Sequence, residues 1–378
     1  MRITIIMGPF GYIPPKGIGA IEKLWYDLAL EFTKKGHPVD IISKKPKGLQ
    51  VADKKEEMIR RIYIYGYSRG THFVKDIFFD FIYSFKALCK VKNTDILIMN
   101  TFWSPFLCRF FKSNYNVSIY NVARYPKGQF KYLSHIDKLV ACSSMIEHAV
   151  MQQNPNQKNI LTINNPVNLD VFKSEEYNSI KGDTLHIVYS GRIHPEKGLI
   201  NLVKAASLLA EKSPVKLSFI GTSDLQKGGG GREYRRQLTE CAKNIDLVFT
   251  GEMSDPQQMA DYMKTADIYC YPPLPTTGDA MPCAPLEAMA LGLPVIVSDL
   301  PCFDDYLIHN KNGIRFDVSH NAVEHLQQAI ELLIMDESLR MHIRMNAAKM
   351  VSDFSSPSIA EQYLNLFQSL LNNGKSLA

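Results

Sequence analysis

A chain of 378 residues exceeds one ordinary hydrophobic core and predicts two domains of about 150 to 200 residues. Its 46% hydrophobic and 21% charged residues are typical of a soluble globular protein, and no apolar run reaches the roughly 18 to 20 residues that span a bilayer. The net charge is +5, and the seven cysteines lack metal-ligand spacing, so reduced thiols are expected and a disulfide-rich secreted fold is excluded.

The positive charge is concentrated in the first half of the chain. Residues 1–181 contain 26 Lys and Arg against 15 Asp and Glu, a balance of +11, whereas residues 182–378 contain 17 against 23, a balance of −6. A basic half indicates an anionic partner, and a membrane surface, a phosphorylated acceptor and a nucleic acid all fit that description. Solvated lysines without any partner are the alternative.

The first 43 residues have the pattern of a β-loop-α-β unit. RITIIM predicts a buried strand with no signal-peptide pattern before it, apolar residues from Ile21 to Phe32 share one helical face, and HPVDIIS predicts a second strand. Gly17, Gly19 and Glu22 resemble part of a dinucleotide fingerprint, but about ten residues separate them from the strand, which weighs against hydride transfer. Lacking a side chain, Gly19 can approach a ligand closely; a plain loop is the alternative.

Aromatic residues and lysines are interleaved from Phe73 to Val91, and the composition recurs from Phe102 to Tyr115. We expect most of these rings to lie in the core; an aromatic and basic face that rests on lipid is the alternative. After the strands DILIMN and VSIYNV, a loop carries Arg124, Lys127 and Lys131. Because ligands bind beyond the carboxyl ends of strands in open α/β sheets, these cations are candidates for an anionic acceptor, with a solvated loop as the alternative.

The polar segment SEEYNSIKGD, residues 174–183, predicts the linker between two domains. The β-loop-α pattern then repeats: a strand ending at Ser190 leads to Gly191 and Arg192, and Lys197 and Gly198 open a helix with an apolar face. Two cations around a glycine-bounded turn are typical of diphosphate binding; a cation pair without a ligand is the alternative.

Four glycines at 228–231 predict a mobile segment, which either closes over a ligand or is an exposed loop; we favour the loop. The strand DLVFTG and a helix capped by Ser254 or Asp255 follow. Amphipathic helices continue to the C-terminus, and the last of them is predicted to begin near Ser356.

The stretch DAMPCAPLEAMALGLP, residues 279–294, combines a loop, a helix start and two carboxylates. Pro282 and Pro285 place the helix start near residues 284–286, with Glu287 in the first turn and a strand, PVIVS, after Gly292. The helix tip can hold a phosphate on its amides while Asp279 and Glu287 accept hydrogen bonds from sugar hydroxyls. Ordinary helix-to-strand packing is the alternative.

GIGAIEK and KKGHPV in the first half, with NNPVN, SGRIHPEKG, VFTGEM and DAMPCAPLEAMALGLPVI in the second, resemble the retaining glycosyltransferases of family four. The resemblance covers nearly the full length and implies an α/β fold of GT-B architecture, in which two Rossmann-like domains face each other across a cleft. It implies an N-terminal acceptor-side domain at 1–175, a C-terminal nucleotide-sugar-binding domain at 176–355 and a C-terminal helix at 356–378 that crosses back to the first domain.

The resemblance also implies roles for individual residues. Arg192, Lys197 and Asp279 would be catalytic, the two cations neutralising the leaving diphosphate and Asp279 holding hydroxyls of the transferred sugar. Glu287 would hold the ribose hydroxyls. The expected donor-binding backbone comprises Gly19, Gly191, Glu252, Met253, Cys283, Ala284, Pro285 and Leu286. The acceptor-side candidates are Asn121, Arg124 and Lys127.

The family needs no metal and no other cofactor, because the nucleotide sugar is itself a substrate. We expect transfer of a hexose or N-acetylhexosamine from a UDP-linked donor to a saccharide or lipid-linked saccharide, in bacterial surface polysaccharide or glycan assembly. We expect a cytoplasmic protein, and the basic first half fits a peripheral contact with an anionic membrane, at the inner face of the cell membrane. No nucleic-acid partner is expected. The alternatives are a GT-B sugar-nucleotide epimerase, a non-catalytic sugar-nucleotide-binding subunit and an NAD-dependent dehydrogenase.

The chain departs from the family pattern at four positions. Asp279 stands where glutamate is usual, which shortens the reach toward the sugar by one methylene, and Asp305 stands where glutamate is common. Ala20 replaces a second glycine beside Gly19. A histidine often follows the strand that matches VSIYNV, but here the candidates are residues 121–124, and neither His135 nor His148 occupies that place.

Overall fold

The computed structural model describes residues 1–15, 19–46, 58–67, 73–173, 183–276 and 278–375. The chain forms two compact units, Met1–Pro166 with Ser356–Ala378, and Val167–Ser355. Gly17 and residues 174–182 of the predicted linker lie outside the described residues. Each unit is built on one parallel sheet.

The first unit contains a sheet of seven strands in the order β3-β2-β1-β4-β5-β6-β7. The strands are β1 (Ile3–Ile6), β2 (Val39–Lys44), β3 (Ile59–Ile64), β4 (Thr94–Met99), β5 (Tyr115–Val122), β6 (Lys138–Ala141) and β7 (Ile160–Thr162). The helices are α1 (Ala20–Lys34), α2 (Phe73–Leu88), α3 (Ser104–Leu107) and α4 (Ser144–Gln153). The sequence patterns did not predict β3. Its Arg60 forms a bidentate ion pair with Asp40 on the neighbouring strand β2.

The second unit contains a sheet of six strands in the order β10-β9-β8-β11-β12-β13. The strands are β8 (Leu185–Ser190), β9 (Val215–Ile220), β10 (Ile245–Gly251), β11 (Ile268–Tyr271), β12 (Val295–Ser298) and β13 (Ile314–Phe316). The helices are α5 (Leu199–Leu209), α6 (Gly231–Cys241), α7 (Pro256–Met263), α8 (Ala284–Ala290), α9 (Ala322–Met335) and α10 (Glu337–Val351). The three-residue β13 also escaped prediction, because so short a strand has no readable periodicity.

The last helix, α11 (Ser356–Lys375), belongs to the first unit. It packs beside α1, and the rings of Trp25 on α1 and Tyr363 on α11 lie 5.3 Å apart between centroids. Trp25, Leu28 and Phe32 are fully buried, which confirms the predicted apolar face of α1. The start of α11 at Ser356 is likewise as predicted.

In both sheets the first strand is central and pairs with the second strand on one side and the fourth on the other. The winding direction therefore reverses between β1 and β4, and again between β8 and β11. Ligands of doubly wound sheets bind at such reversal points, beyond the carboxyl ends of the strands. The loops after β8 and β11 are consequently the first place to look for a site in the second unit.

The aromatic stretch 73–91 forms α2, and the expectation that most of its rings lie in the core is wrong. Tyr83 is buried, but Phe78, Phe79, Phe81 and Phe85 are all exposed. A helix that lies on a sheet can bury only one face, and here that face carries Asp80, Tyr83 and Leu88 rather than the phenylalanines. None of the described helices combines the length and apolar character needed to span a bilayer.

Candidate functional site

The loop after β8 carries both predicted cations. A 3₁₀ turn, Pro195–Lys197, follows β8, and α5 begins only at Leu199, so Lys197 precedes the helix instead of opening it. Gly198 caps α5 in the left-handed region, with φ of 65°. A Cβ at Gly198 would lie 2.0 Å from the carbonyl oxygen of Pro272, so only glycine lets this turn close against the end of β11.

Lys197 is buried, with 3% of its surface exposed. Its ammonium donates to both carboxylate oxygens of Asp279, at 2.6 and 2.7 Å, and lies 3.7 Å from Glu196 Oε1. The hydroxyl of Tyr271 donates to Asp279 Oδ2 at 3.0 Å, and the Tyr271 ring lies beside the ammonium at 5.5 Å. Two of the predicted catalytic residues, Lys197 and Asp279, are thus joined directly, from the loops after β8 and β11.

Arg192 is half-exposed and is oriented from two sides. Its Nη2 donates to Glu196 Oε1 at 2.7 Å and its Nη1 donates to the carbonyl oxygen of Gly228 at 2.8 Å. The hydroxyl of Tyr189 donates to the Arg192 carbonyl at 2.8 Å, which fixes the backbone. A guanidinium has five N–H donors, so it retains donors for a ligand after these two bonds.

The glycine segment 228–231 is hydrogen-bonded to its surroundings. Gly228 accepts from Arg192, the amide of Gly230 donates to the Ile193 carbonyl at 2.8 Å, and Gly231 begins α6. The favoured interpretation, an exposed loop, is wrong: none of the four glycines is exposed, and hydrogen bonds to the turn after β8 hold this backbone beside Arg192. Composition alone could not reveal those partners, since they lie far away in the sequence.

Glu252 and Met253, which are predicted to bind the donor, follow β10. The carboxylate of Glu252 accepts from Lys227 Nζ at 2.5 Å, and this hydrogen bond raises the pKa of Lys227. Met253 is half-buried next to it. The loop after β10 is therefore linked to the same 225–228 segment that contacts Arg192.

The stretch 279–294 folds as predicted: α8 begins at Ala284, Pro285 and Glu287 lie in its first turn, and β12 follows. No side chain caps this helix, and its first closing bond runs from the Glu287 amide to the Cys283 carbonyl at 2.9 Å. The side chain of Leu286 is buried, so only its backbone is available to a ligand. Burial, and to a smaller extent the Glu287 carboxylate, raises the pKa of Tyr269, whose hydroxyl lies 3.1 Å from Ser190 Oγ at the end of β8.

With this geometry in place, comparison with known proteins is informative. Residues 170–350 match the sequence model of the family described as Glycosyl transferases group 1. The match covers nearly all of the second unit, and the chain is a glycosyltransferase.

Relatives and solved structures agree with that assignment. The capsular polysaccharide biosynthesis glycosyltransferase CapM of Staphylococcus aureus is 25% identical over 250 residues, which span 63% of this chain and 63% of CapM. Sucrose-phosphate synthase from Thermosynechococcus elongatus has a TM-score of 0.79 at 20% identity, covering 99% of this chain and 100% of that one. Anabaena Alr3699/HepE in complex with UDP and glucose has a TM-score of 0.74 at 16% identity, covering 98% and 100%. The predicted GT-B fold class is confirmed.

The first unit of the glycosyltransferase contains Gly19, which is predicted to bind the donor, and the acceptor-side candidates. Gly19 is the N-cap of α1, and a Cβ there would lie 2.6 Å from Glu22 Oε2. Burial raises the pKa of the Glu22 carboxyl, while the charge of Arg124 opposes that rise. Asn121 on β5 donates to Asn100 Oδ1 at 2.8 Å. The structure thus places Gly19 against Glu22, whose carboxyl is influenced by the charge of Arg124, and fixes Asn121 beside β4.

Lys127 lies on the exposed loop after β5. Its backbone amide donates to Gln129 Oε1 at 2.7 Å. Its side chain is exposed. Its role stays a prediction.

Sequence reasoning overlooked two residues of the glycosyltransferase's site, Glu196 and Tyr271. Glu196 lies four positions after Arg192 and directly before Lys197, so an acid between two cations was the available signal. Tyr271 ends the buried strand β11, where a polar ring tip signals contact with a ligand or a charged group. Both residues orient the charged groups that the sequence did identify.

Proposed function

We propose that this glycosyltransferase moves a sugar from a UDP-linked donor to a saccharide or lipid-linked saccharide, with retention of anomeric configuration and without a metal, in surface polysaccharide or glycan assembly. The observation that carries the proposal is the pair of cations, Arg192 and Lys197, at the reversal point of the second sheet. HepE, which shares the fold, was solved with UDP and glucose. CapM takes part in capsular polysaccharide biosynthesis.

The two cations suit the departure of a nucleoside diphosphate. As the bond to the sugar breaks, negative charge grows on the diphosphate, and fixed positive groups stabilise it without reorganising. Charge-assisted hydrogen bonds contribute about 1.5 to 3 kcal/mol each, so two of them supply only part of the roughly 8 kcal/mol or more that enzymes provide. Orientation of the acceptor hydroxyl against the anomeric carbon must supply much of the remainder.

Retention without a covalent intermediate is supported by the partners of Asp279. Its carboxylate accepts two bonds from Lys197 and one from Tyr271. A carboxylate neutralised in this way is a weak nucleophile but a good acceptor for sugar hydroxyls. In the proposed reaction the acceptor oxygen therefore attacks from the side that the diphosphate leaves, and the diphosphate oxygen takes the acceptor proton.

Arg192 replaced by alanine is the direct test of the diphosphate role. We expect kcat/KM for UDP release from the preferred UDP-sugar to fall about 100-fold, because the charge-assisted bonds to the diphosphate are lost. The preferred donor is first found from a panel of UDP-, GDP-, ADP- and dTDP-sugars by the rise in thermal midpoint. Product anomers are read by NMR, and EDTA is expected to leave the rate unchanged.

Arg236→Ala is the matched control, because Arg236 lies on α6 of the same unit and pairs with Glu233 instead of site residues. Its rate should equal that of the wild type. Unchanged UDP release by Arg192→Ala would refute the proposed site. Sugar epimerisation in the absence of any acceptor would replace transfer by the epimerase alternative.

Glu196 replaced by glutamine tests how Arg192 is oriented. The side chain keeps its size but loses its charge, so we expect kcat to fall about 10-fold at nearly unchanged thermal midpoint. Because Glu196 acts through Arg192, adding Glu196→Gln to Arg192→Ala should cause little further loss. Fully multiplicative losses in the double variant would show that Glu196 acts independently.

A further inference from the structure

The exposed face of α2 is a regular apolar stripe. Val74, Phe78, Phe81 and Phe85 follow one another at intervals of four, three and four residues. At 3.6 residues per turn these positions fall within about 60° of one another on the helix surface. Their exposed fractions are 77%, 61%, 40% and 48%. The spacing that normally marks the buried side of a helix is here turned toward solvent.

The stripe continues onto the segment 102–111 of the same unit. The ring of Phe81 lies 5.5 Å from Trp103, and that of Phe85 lies 5.8 Å from Phe111. Phe102 and Phe110 add two further exposed rings. We call α2 together with residues 102–111 the aromatic face. A contiguous apolar surface of this kind marks an interaction site.

The charge around the aromatic face is predominantly positive. Residues 73–137 contain four acids, Asp76, Asp80, Asp95 and Asp137, against nine cations: Lys75, Lys86, Lys90, Lys92, Arg109, Lys112, Arg124, Lys127 and Lys131. Of the acids, Asp80 is buried and Asp137 pairs with Lys112. In the described part of the chain, Lys86, Lys90 and Arg109 are exposed and form no ion pair. Arg109 lies over the exposed ring of Phe110, 5.0 Å from its centroid. Lys86, Lys90 and Arg109 are therefore available to an anionic partner.

This combination selects one kind of partner. A second copy of the chain on the aromatic face would bring the two sets of cations together, which is unfavourable. A bilayer with anionic headgroups offers charge complementarity for the lysines and an interfacial layer that favours aromatic rings. We propose that the aromatic face docks on an anionic lipid surface, with Phe78, Phe81 and Phe85 in the headgroup layer. The inference rests on the proposed function for the lipid-linked acceptor that such docking would serve.

Vesicle flotation tests the docking. The full chain is mixed with phosphatidylcholine vesicles that contain either no or 30% phosphatidylglycerol. We expect at least about 10-fold stronger binding to the anionic vesicles than to the neutral ones. The double variant Lys86→Glu with Lys90→Glu should weaken binding to the anionic vesicles by a similar factor. The double variant Phe78→Ser with Phe81→Ser should abolish binding. Raising salt to 0.5 M should remove the charge-dependent part. Lys204→Glu with Lys243→Glu, two exposed lysines of the second unit, makes the same charge change and should bind as the wild type.

Trp103 reports where contact occurs. The chain has two tryptophans. Trp25 is fully buried in the core, whereas Trp103 is part of the aromatic face and its ring packs against that of Phe81. Lipids with brominated chains should quench the Trp103 emission, and Trp103→Phe should remove the quenching. Equal binding to neutral vesicles, no quenching, or a dimer that Phe78→Ser with Phe81→Ser dissociates would overturn the proposal.

Different variants should lose membrane docking and catalysis. The variants of α2 should release UDP from the donor, with a soluble acceptor, at the wild-type rate. Arg192→Ala should lose turnover but still float with anionic vesicles. Loss of both properties in an α2 variant would mean that α2 belongs to the catalytic machinery, contrary to the proposal.

Discussion

Replacing Lys197 by methionine is expected to reduce kcat by about 100- to 1,000-fold, the range seen when a group that stabilises developing charge is removed. The ammonium is buried and bonded to both oxygens of Asp279, so it cannot be replaced by solvent or by a neighbouring lysine. Among the described residues, no other cation forms an ion pair with Asp279, so the loss of Lys197 leaves that carboxylate unpaired. We therefore expect the free energy of unfolding of the second unit to fall by about 3 kcal/mol.

Two controls separate these effects. Lys212→Met removes an exposed ion pair with Glu331, which should cost at most about 1 kcal/mol and leave kcat unchanged. The double variant Lys197→Met with Asp279→Asn removes both buried charges and should recover stability but not turnover. Recovery of turnover in the double variant would show that Lys197 serves only to hold Asp279. Denaturant unfolding and UDP release measure the two quantities.

Replacing Gly221 by alanine is expected to destabilise the second unit strongly. Gly221 follows β9 with φ of 149°, and its Cβ would lie 1.9 Å from the carbonyl oxygen of Gly191. That contact is between two backbones, so no side chain can yield, and the turn that carries Arg192 must shift. Strain of this kind costs about 3 kcal/mol, which corresponds to a fall of about 6 to 10 °C in the thermal midpoint of a unit this size.

Gly251→Ala is the matched control. Gly251 also has positive φ, 77°, but nothing lies within 4 Å of its added Cβ. Its substitution should cost about 1 kcal/mol from backbone conformation alone. Thermal unfolding of both variants, followed by circular dichroism, checks the difference. Equal losses would show that the close approach of Gly191 and Gly221 carries no energetic weight.

The donor side was predictable because its signals are local. The turn after β8 and the start of α8 are encoded by glycines, prolines and charges within a few positions of each other, and each was found where the sequence placed it to within two residues. What the sequence could not show is that Lys197 bonds Asp279, since the two lie 82 positions apart. That contact depends on β8 and β11 being neighbours in the sheet.

The aromatic stretch shows the opposite case. Its composition is compatible with rings buried in the core and with rings exposed to lipid, and both interpretations were considered. Periodicity cannot decide between them, because two faces of the helix are apolar and either could pack on the sheet. The packing decided it, because Asp80 and Tyr83 turn inward while the phenylalanines remain outside. The prediction that residues 228–231 form an exposed loop was wrong for a related reason, because their hydrogen-bond partners lie in the distant loop after β8.

Sequence by itself determined that this chain has two βα arrays and located most of the strands and helices. It also determined which cations and carboxylates lie at the ends of strands. These features are encoded locally, because hydrophobic periodicity, proline and glycine each act over a few residues. Tertiary structure alone decided which of those charges meet, which backbones touch at Gly191 and Gly221, and which rings stay in water. These depend on the order of strands in the sheet and on packing between distant segments, and no local pattern encodes either.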